Sequence, residues 1–150
     1  MLSMLDLKPE DRLLEIGTGS GSQTERFAAT GCEVYSVELE PWTELADSMG
    51  ARVYLRLGDG REGLPLQAPF TAIAATCGIE QIPRAWQDQL VEGGRLACPI
   101  GDAKSQRLTL FVKQDGEMVP KRVWAYVRFQ MMKEPKPVVV KPRYKTDAMG

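Results

Sequence analysis

The sequence predicts an α/β fold whose mostly parallel sheet ends in an antiparallel hairpin. Three observations predict it. Short apolar runs alternate with amphipathic stretches over the first hundred residues, glycine-containing loops follow several of those runs, and beyond Ile100 the alternation gives way to two β-rich arms around Asp115-Gly116. The 150 residues, with 43% hydrophobic and 26% charged side chains, suffice for one domain with a sizeable core.

The elements follow in order. Arg12 to Ile16 is an apolar run ended by glycines, and a helix from Ser22 to about Thr30 comes next, with Gly31 as its stop. Val34 to Leu39 is the second strand. Pro41 suits a first helical turn, which needs no N–H, and opens a short helix to about Met49. Val53 to Leu57 is strand three, the loop Gly58-Asp59-Gly60 follows, and Thr71 to Cys77 reads as a buried fourth strand. A helix from about Pro83 to Leu90 precedes the Gly93-Gly94 turn and a fifth strand, Arg95 to Ile100. Leu108 to Val112 and Val123 to Phe129 are the hairpin arms. These elements make one domain over 1–130. Residues 131–150 carry Pro135, Pro137, Pro142 and five Lys or Arg, the composition of a basic, extended tail in which Val138 to Val140 is a candidate edge strand.

Composition excludes several chemistries. Nineteen basic against twenty acidic residues leave a net charge of -1, which gives no global argument for nucleic-acid or membrane binding. The charge is segregated, however: residues 1–100 hold 8 basic and 15 acidic side chains, residues 101–150 hold 11 and 5. The absence of histidine removes Ser-His-Asp and Cys-His nucleophiles, His-ligated zinc and an imidazole base. Cys32, Cys77 and Cys98 are widely spaced and odd in number, so they suggest neither a zinc site nor a disulfide framework, and they fit a reducing, cytoplasmic setting. No apolar run approaches the roughly 20 residues that cross a bilayer. Cys77 has no evident basic neighbour to make it a nucleophile, and like Cys32 and Cys98 it reads as a small core residue.

The chemistry is concentrated in Leu14-Glu15-Ile16-Gly17-Thr18-Gly19-Ser20-Gly21, a strand running straight into a loop with glycine at every second position. Such a loop lets backbone approach a ligand closely, and in an open α/β sheet the ligand crevice lies at the carboxyl ends of the strands. A dinucleotide fingerprint would need glycine at position 22, where Ser22 stands, and no Gly-Lys-Ser or Gly-Lys-Thr follows to make a P-loop. What the loop does carry is Glu15 two residues before it and Glu38 at the end of the next strand. A carboxylate at that second place can accept from both hydroxyls of a ribose.

These residues resemble the S-adenosylmethionine-dependent, Rossmann-like methyltransferases, and within them the protein-L-isoaspartate O-methyltransferase family. The resemblance rests on Leu7 to Thr24, Val34 to Glu38, Gly58 to Pro65, Ala68 to Ile73, Ile82-Pro83, Gln89 to Gly101 and the closing hairpin, in the family's order and approximate spacing. It implies a cofactor site in which Glu15, Gly17, Thr18, Gly19 and Gly21 shape the methionine end. It further implies that Glu38 holds the ribose, Leu39 lies against the adenine, and Asp59, Gly60 and Arg61 line the adenine end. S-adenosylmethionine is then the cofactor and S-adenosylhomocysteine the product. The implied function is protein repair by methyl transfer to isoaspartyl carboxylates of damaged proteins or peptides, with a divergent acceptor or a non-catalytic binding module as the alternatives.

A carboxylate acceptor suits a chain without histidine, because it is already ionised at neutral pH and needs no general base. Two departures from the family are expected to matter. The family's hydroxyl-bearing residue that contacts the substrate carboxylate lies upstream of the position of Met1, so no catalytic residue is assigned, and the chain reads as a fragment or a short paralogue. Ser3 stands in the wrong register to replace that residue. After strand four, in place of small alanine-type residues, come Thr76, Cys77, Gly78, Ile79 and Glu80, the expected substrate side of the cleft, where Glu80 would repel an acceptor carboxylate.

Overall fold

A strand that is apolar on both sides needs cover on both faces, and β1 (Arg12–Ile16) shows how the chain supplies it. Leu13 joins Met4, Leu5, Phe27 and Val34 in one core, while Leu14 and Ile16 join Val37, Ile73, Trp86 and Leu96 in a second. In the computed structural model of the chain, residues 1–40, 50 and 52–135 are described. The helix expected over 41–49 and the edge strand expected at 138–140 lie outside them.

The first core is closed by α1 (Leu2–Leu5) and α2 (Ser22–Ala28), the second by α3 (Arg84–Gln89), whose Trp86 is fully buried and donates its indole N–H to the Gly60 carbonyl at 2.7 Å. Between them runs a seven-stranded sheet of β1, β2 (Glu33–Glu38), β3 (Val53–Leu57), β4 (Phe70–Ala75), β5 (Leu90–Gly101), β6 (Gln106–Gln114) and β7 (Glu117–Val127). Their order is β3-β2-β1-β4-β5-β6-β7. The first five are parallel, and β5, β6 and β7 pair antiparallel, as the sequence predicts. The chain direction across the sheet reverses at β1, which lies between β2 and β4. Their carboxyl ends therefore diverge into a crevice.

Several boundaries differ from expectation: β2 and α3 by one residue at each end, β4 by ending at Ala75 rather than Cys77, and others for the local reasons that follow. The first long helix stops at Ala28 rather than Thr30, because Thr30 and Gly31 turn more tightly onto the Phe27 and Ala28 carbonyls and Gly31 takes φ +85°. β5 begins at Leu90 rather than Arg95. Leu90 already pairs with Phe70, and Gly93 and Gly94 form an irregularity within the strand instead of a turn before it; a Cβ on Gly94 would meet the Leu90 side chain at 2.6 Å. The hairpin arms reach closer to the turn than expected, although β7 ends at Val127 rather than Phe129, and their turn, with Asp115 at φ 53° and Gly116 at φ 76°, is the two-residue type that matches strand twist. Both turn amides donate to the Glu92 carboxylate. Pro120 is tolerated in β7, the outermost strand, at a register irregularity opposite Phe111.

The end of the domain also departs from the expected boundary at 130. After β7 the chain returns across the carboxyl ends of the strands, where the Gly78 amide donates to the Gln130 carbonyl at 2.8 Å and the Met132 amide to the Gly78 carbonyl at 2.9 Å. Residues 129–134 thus form a strap packed on the domain. Gln106, only 1% exposed, fastens it: its side-chain amide donates to the Asp102 and Phe129 carbonyls and accepts from the Phe129 amide at 2.7 Å. The basic composition hid this packing, which depends on one buried amide far away in sequence.

Candidate functional site

The loop after β1 turns through Gly17, Gly19 and Gly21, at φ +90°, +54° and +83°, conformations that side chains resist. Gly17 is needed for space as well, since a Cβ there would meet the Thr76 hydroxyl at 2.7 Å. Its amide donates to the Val37 carbonyl at 2.9 Å, tying the loop to the end of β2. Thr18 is buried and its hydroxyl lies 2.5 Å from that of Ser36. Ser36 in turn donates to Glu15 Oε1 at 2.6 Å, and Thr24 of α2 donates to the same oxygen.

Glu15 is therefore beneath the loop, not in the cleft wall. It is fully buried, and Oε2 has no hydrogen-bond partner among the described residues. Burial pushes its pKa up to about 7; the Ser36 and Thr24 bonds oppose the rise and the neighbouring Glu38 charge adds to it. Ser36 and Thr24 were missed in the sequence, although a serine within the apolar strand Val34-Tyr35-Ser36-Val37 is the kind of signal that marks a buried polar partner.

Above the strand ends lies a cleft of about 400 Å³. Of the expected cofactor residues, Gly17, Gly19, Glu38, Leu39 and Gly60 line it, together with Ile16, Val37 and Gly58. Glu38 is fixed by backbone: its Oε2 accepts from the Gly19 amide at 2.9 Å and its Oε1 from the Leu39 amide at 3.2 Å. With about four acceptor sites on a carboxylate, further ones stay available for a ligand. Gly60 is buried against Ile16, whose Cγ2 would stand 2.5 Å from an added Cβ. Asp59, Thr18, Gly21 and Arg61 are not wall residues. Asp59 accepts from the Arg61 amide at 3.0 Å and starts the 3₁₀ turn Gly60–Glu62, and the Arg61 guanidinium pairs with Glu134 at 2.9 Å.

On the expected substrate side, Thr76 and Cys77 line the cleft, whereas Gly78, Ile79 and Glu80 do not. Gly78 and Ile79 are buried by their backbone bonds to the strap and to β5, and Glu80 is exposed outside the cleft wall. The carboxylate expected to repel an acceptor is thus not among the lining residues. Burial pushes the Cys77 thiol up to about 11, with the Glu38 charge adding, so at neutral pH it is a protonated wall group and not a nucleophile. The remaining wall is Glu40, beyond β2, and Gln130, Met131, Met132 and Lys133 of the strap, of which all but Gln130 were expected in a tail. Among the described residues no group of His, Cys, Asp or Glu could hold a metal ion, and no helix is long and apolar enough to cross a membrane.

Comparison with known proteins gives this geometry a family. The chain is 39% identical over 139 residues to a protein-L-isoaspartate O-methyltransferase of Flavobacterium psychrophilum, covering 89% of this chain and 65% of that one. It is 47% identical over 118 residues to one of Opitutus terrae, covering 74% and 51%. The chain thus spans about half to two thirds of the length of these relatives. A solved protein-L-isoaspartate O-methyltransferase superposes with a TM-score of 0.77 at 30% identity, over 89% of this chain and 45% of that one. A Plasmodium falciparum structure assigned to the same class and solved with S-adenosyl-L-homocysteine shares the fold, with a TM-score of 0.70 at 20% identity over 88% of this chain and 69% of that one. The family profile for protein-L-isoaspartate(D-aspartate) O-methyltransferase matches residues 1–134, and with the Rossmann-like fold and the glycine loop in place, the chain belongs to that family.

Proposed function

We propose that this chain binds S-adenosylmethionine in the cleft and directs its methyl group to isoaspartyl carboxylates of damaged proteins or peptides, releasing S-adenosylhomocysteine. The observation that carries the reading is Glu38, a carboxylate held at the cleft by the Gly19 and Leu39 amides with acceptor capacity to spare. Its placement fits a ribose. Crowding at Gly17 and Gly60 and apolar walls at Ile16, Val37 and Leu39 fit the rest of a nucleoside, and the cleft is in the usual range for a small ligand.

Within this reading Leu39 packs on the adenine and Gly60 lines its end of the site, with Asp59 and Arg61 shaping the 3₁₀ turn behind that wall. Gly17, Gly19 and Gly21 leave room for the methionine portion, with Thr18 and Glu15 supporting that loop from below through Ser36. The bound cofactor supplies an electrophilic methyl on a sulfonium. The protein's part is to hold donor and acceptor in line and to exclude water, and proximity of this kind is worth up to about 7–11 kcal/mol. No base is required. The acceptor carboxyl, with a solution pKa near 4, arrives ionised, and Thr76 and Cys77 form a neutral wall beside it. A reducing, cytoplasmic setting suits the three unpaired thiols, Cys32, Cys77 and Cys98.

Calorimetric titration with S-adenosylhomocysteine tests the reading. The wild-type chain is expected to bind, and Glu38→Ala to weaken binding about 10–100-fold, the range for losing hydrogen bonds to a charged acceptor. A folded wild-type chain with no binding at millimolar ligand would overturn it.

A further inference from the structure

The acceptor in this reaction is an anion, yet the cleft walls carry the carboxylates Glu38 and Glu40. Among the described residues one cation lines the cleft, Lys133 on the strap. Resting on the function proposed above, we infer that Lys133 is the residue that receives and orients the acceptor carboxylate.

Three features place it for that task. The strap is anchored on one side at Gly78, beyond the end of β4, by the two backbone bonds to Gln130 and Met132. On the other side Glu134 pairs with Arg61, in the 3₁₀ turn that follows β3. The strap therefore crosses the mouth between the two ends of the cleft, and Lys133 stands one residue before the second anchor. The Arg61 charge is occupied by Glu134, whereas Lys133 has no ion-pair partner among the described residues. Glu38 is held back by amides at the β2 end. An ammonium at the cleft wall is a compact point charge that attracts a carboxylate from a wide range of approach.

The anchoring is specific to this backbone path. Gly78 has no space for a Cβ, which would meet Met131 Sδ at 2.7 Å, so the strap lies directly on it. Lys133 follows two residues later. Its ammonium would act on the acceptor as an electrostatic guide, leaving the proton inventory of the reaction unchanged, because the carboxylate enters deprotonated and leaves as an ester.

Binding separates this role from its rivals without relying on turnover. Wild type, Lys133→Ala and Lys133→Arg are titrated first with S-adenosylhomocysteine alone. Each complex saturated with that ligand is then titrated with a short peptide containing one isoaspartyl residue, at about 20 mM and about 200 mM salt, between which the Debye length falls from roughly 20 Å to roughly 7 Å. Unchanged affinity for S-adenosylhomocysteine is expected in both variants. Peptide affinity should fall about tenfold in Lys133→Ala at low salt, recover to within about twofold in Lys133→Arg, and show a smaller loss at high salt. Equal peptide affinity in wild type and Lys133→Ala would overturn the inference. So would a loss confined to S-adenosylhomocysteine, which would assign Lys133 to the cofactor's carboxylate instead, or a wild-type complex that takes no isoaspartyl peptide. Failure of the wild type to bind S-adenosylhomocysteine would remove the underlying reading itself.

Discussion

Glu15 shows how much a single buried carboxyl can report. Its pKa is raised from 4.5 to about 7, so the folded state holds a proton that the unfolded chain has already released between those values. A raised carboxyl pKa makes stability greatest below the unfolded value and removes it as pH rises toward the folded one. Glu15→Gln cannot lose a proton. Denaturation of both proteins at pH 4.5, 5.5, 6.5 and 7.5 should show the wild type losing stability relative to Glu15→Gln by roughly 2–3 kcal/mol over the interval, with no further change above it. A flat difference would mean that Glu15 titrates normally. The glycine loop, Glu38 and the place of Glu15 before the loop were legible because backbone conformation and charge are written locally. That Glu15 would turn under the loop to Ser36 and Thr24 was not, since nothing in the local sequence says which of a strand's two faces receives a hydroxyl from its neighbour.

At the level of elements, strands β1, β2 and β3 fall within a residue or so of their sequence-read limits, because continuous apolar runs ended by glycine or charge have few other uses. β5 and the strap were harder. Gly93-Gly94 is the composition of a turn, and only pairing of Leu90 with Phe70 makes it a strand irregularity. Lys133, Glu134 and the prolines beyond them have the composition of a solvated terminus, and only Gln106 and Gly78 make residues 129–134 part of the domain. Gln106→Ala removes the bonds to Asp102 and Phe129 and leaves backbone groups without partners. A loss of about 2–4 kcal/mol is expected, the range for several buried hydrogen bonds. Hydrogen exchange at the Phe129, Gly78 and Met132 amides should accelerate while that at β1 tracks global unfolding only. Equal acceleration in β1 would show that the strap and sheet open as one unit.

For the molecule as a whole, the two cores share the same strands. Leu13 and Leu14 are consecutive yet belong to opposite clusters, and so do Ala72 and Ile73 of β4 and Leu96 and Ala97 of β5. Neither face can lose its packing while the central strands keep the other. Unfolding followed by far-UV circular dichroism and by near-UV circular dichroism should therefore give coincident transitions in urea, and separated midpoints would contradict a shared core. The family fold was legible at this scale because the order of motifs fixes which strand ends meet. What closes the cleft was not, since it depends on a chain segment returning from the far edge of the sheet.

That return sets an order of events during synthesis. A nascent chain that has emerged from the ribosome through β5 already holds the glycine loop, Glu38 and the β4 end, yet one wall of its cleft is still to be translated. Gln130 to Lys133 follow only after the hairpin has been made and has paired beside β5. The proposed ligand capture thereby waits for the last stretch of the described chain, and a nascent chain whose emerged part ends before residue 130 would display its strands with one side of the crevice still open.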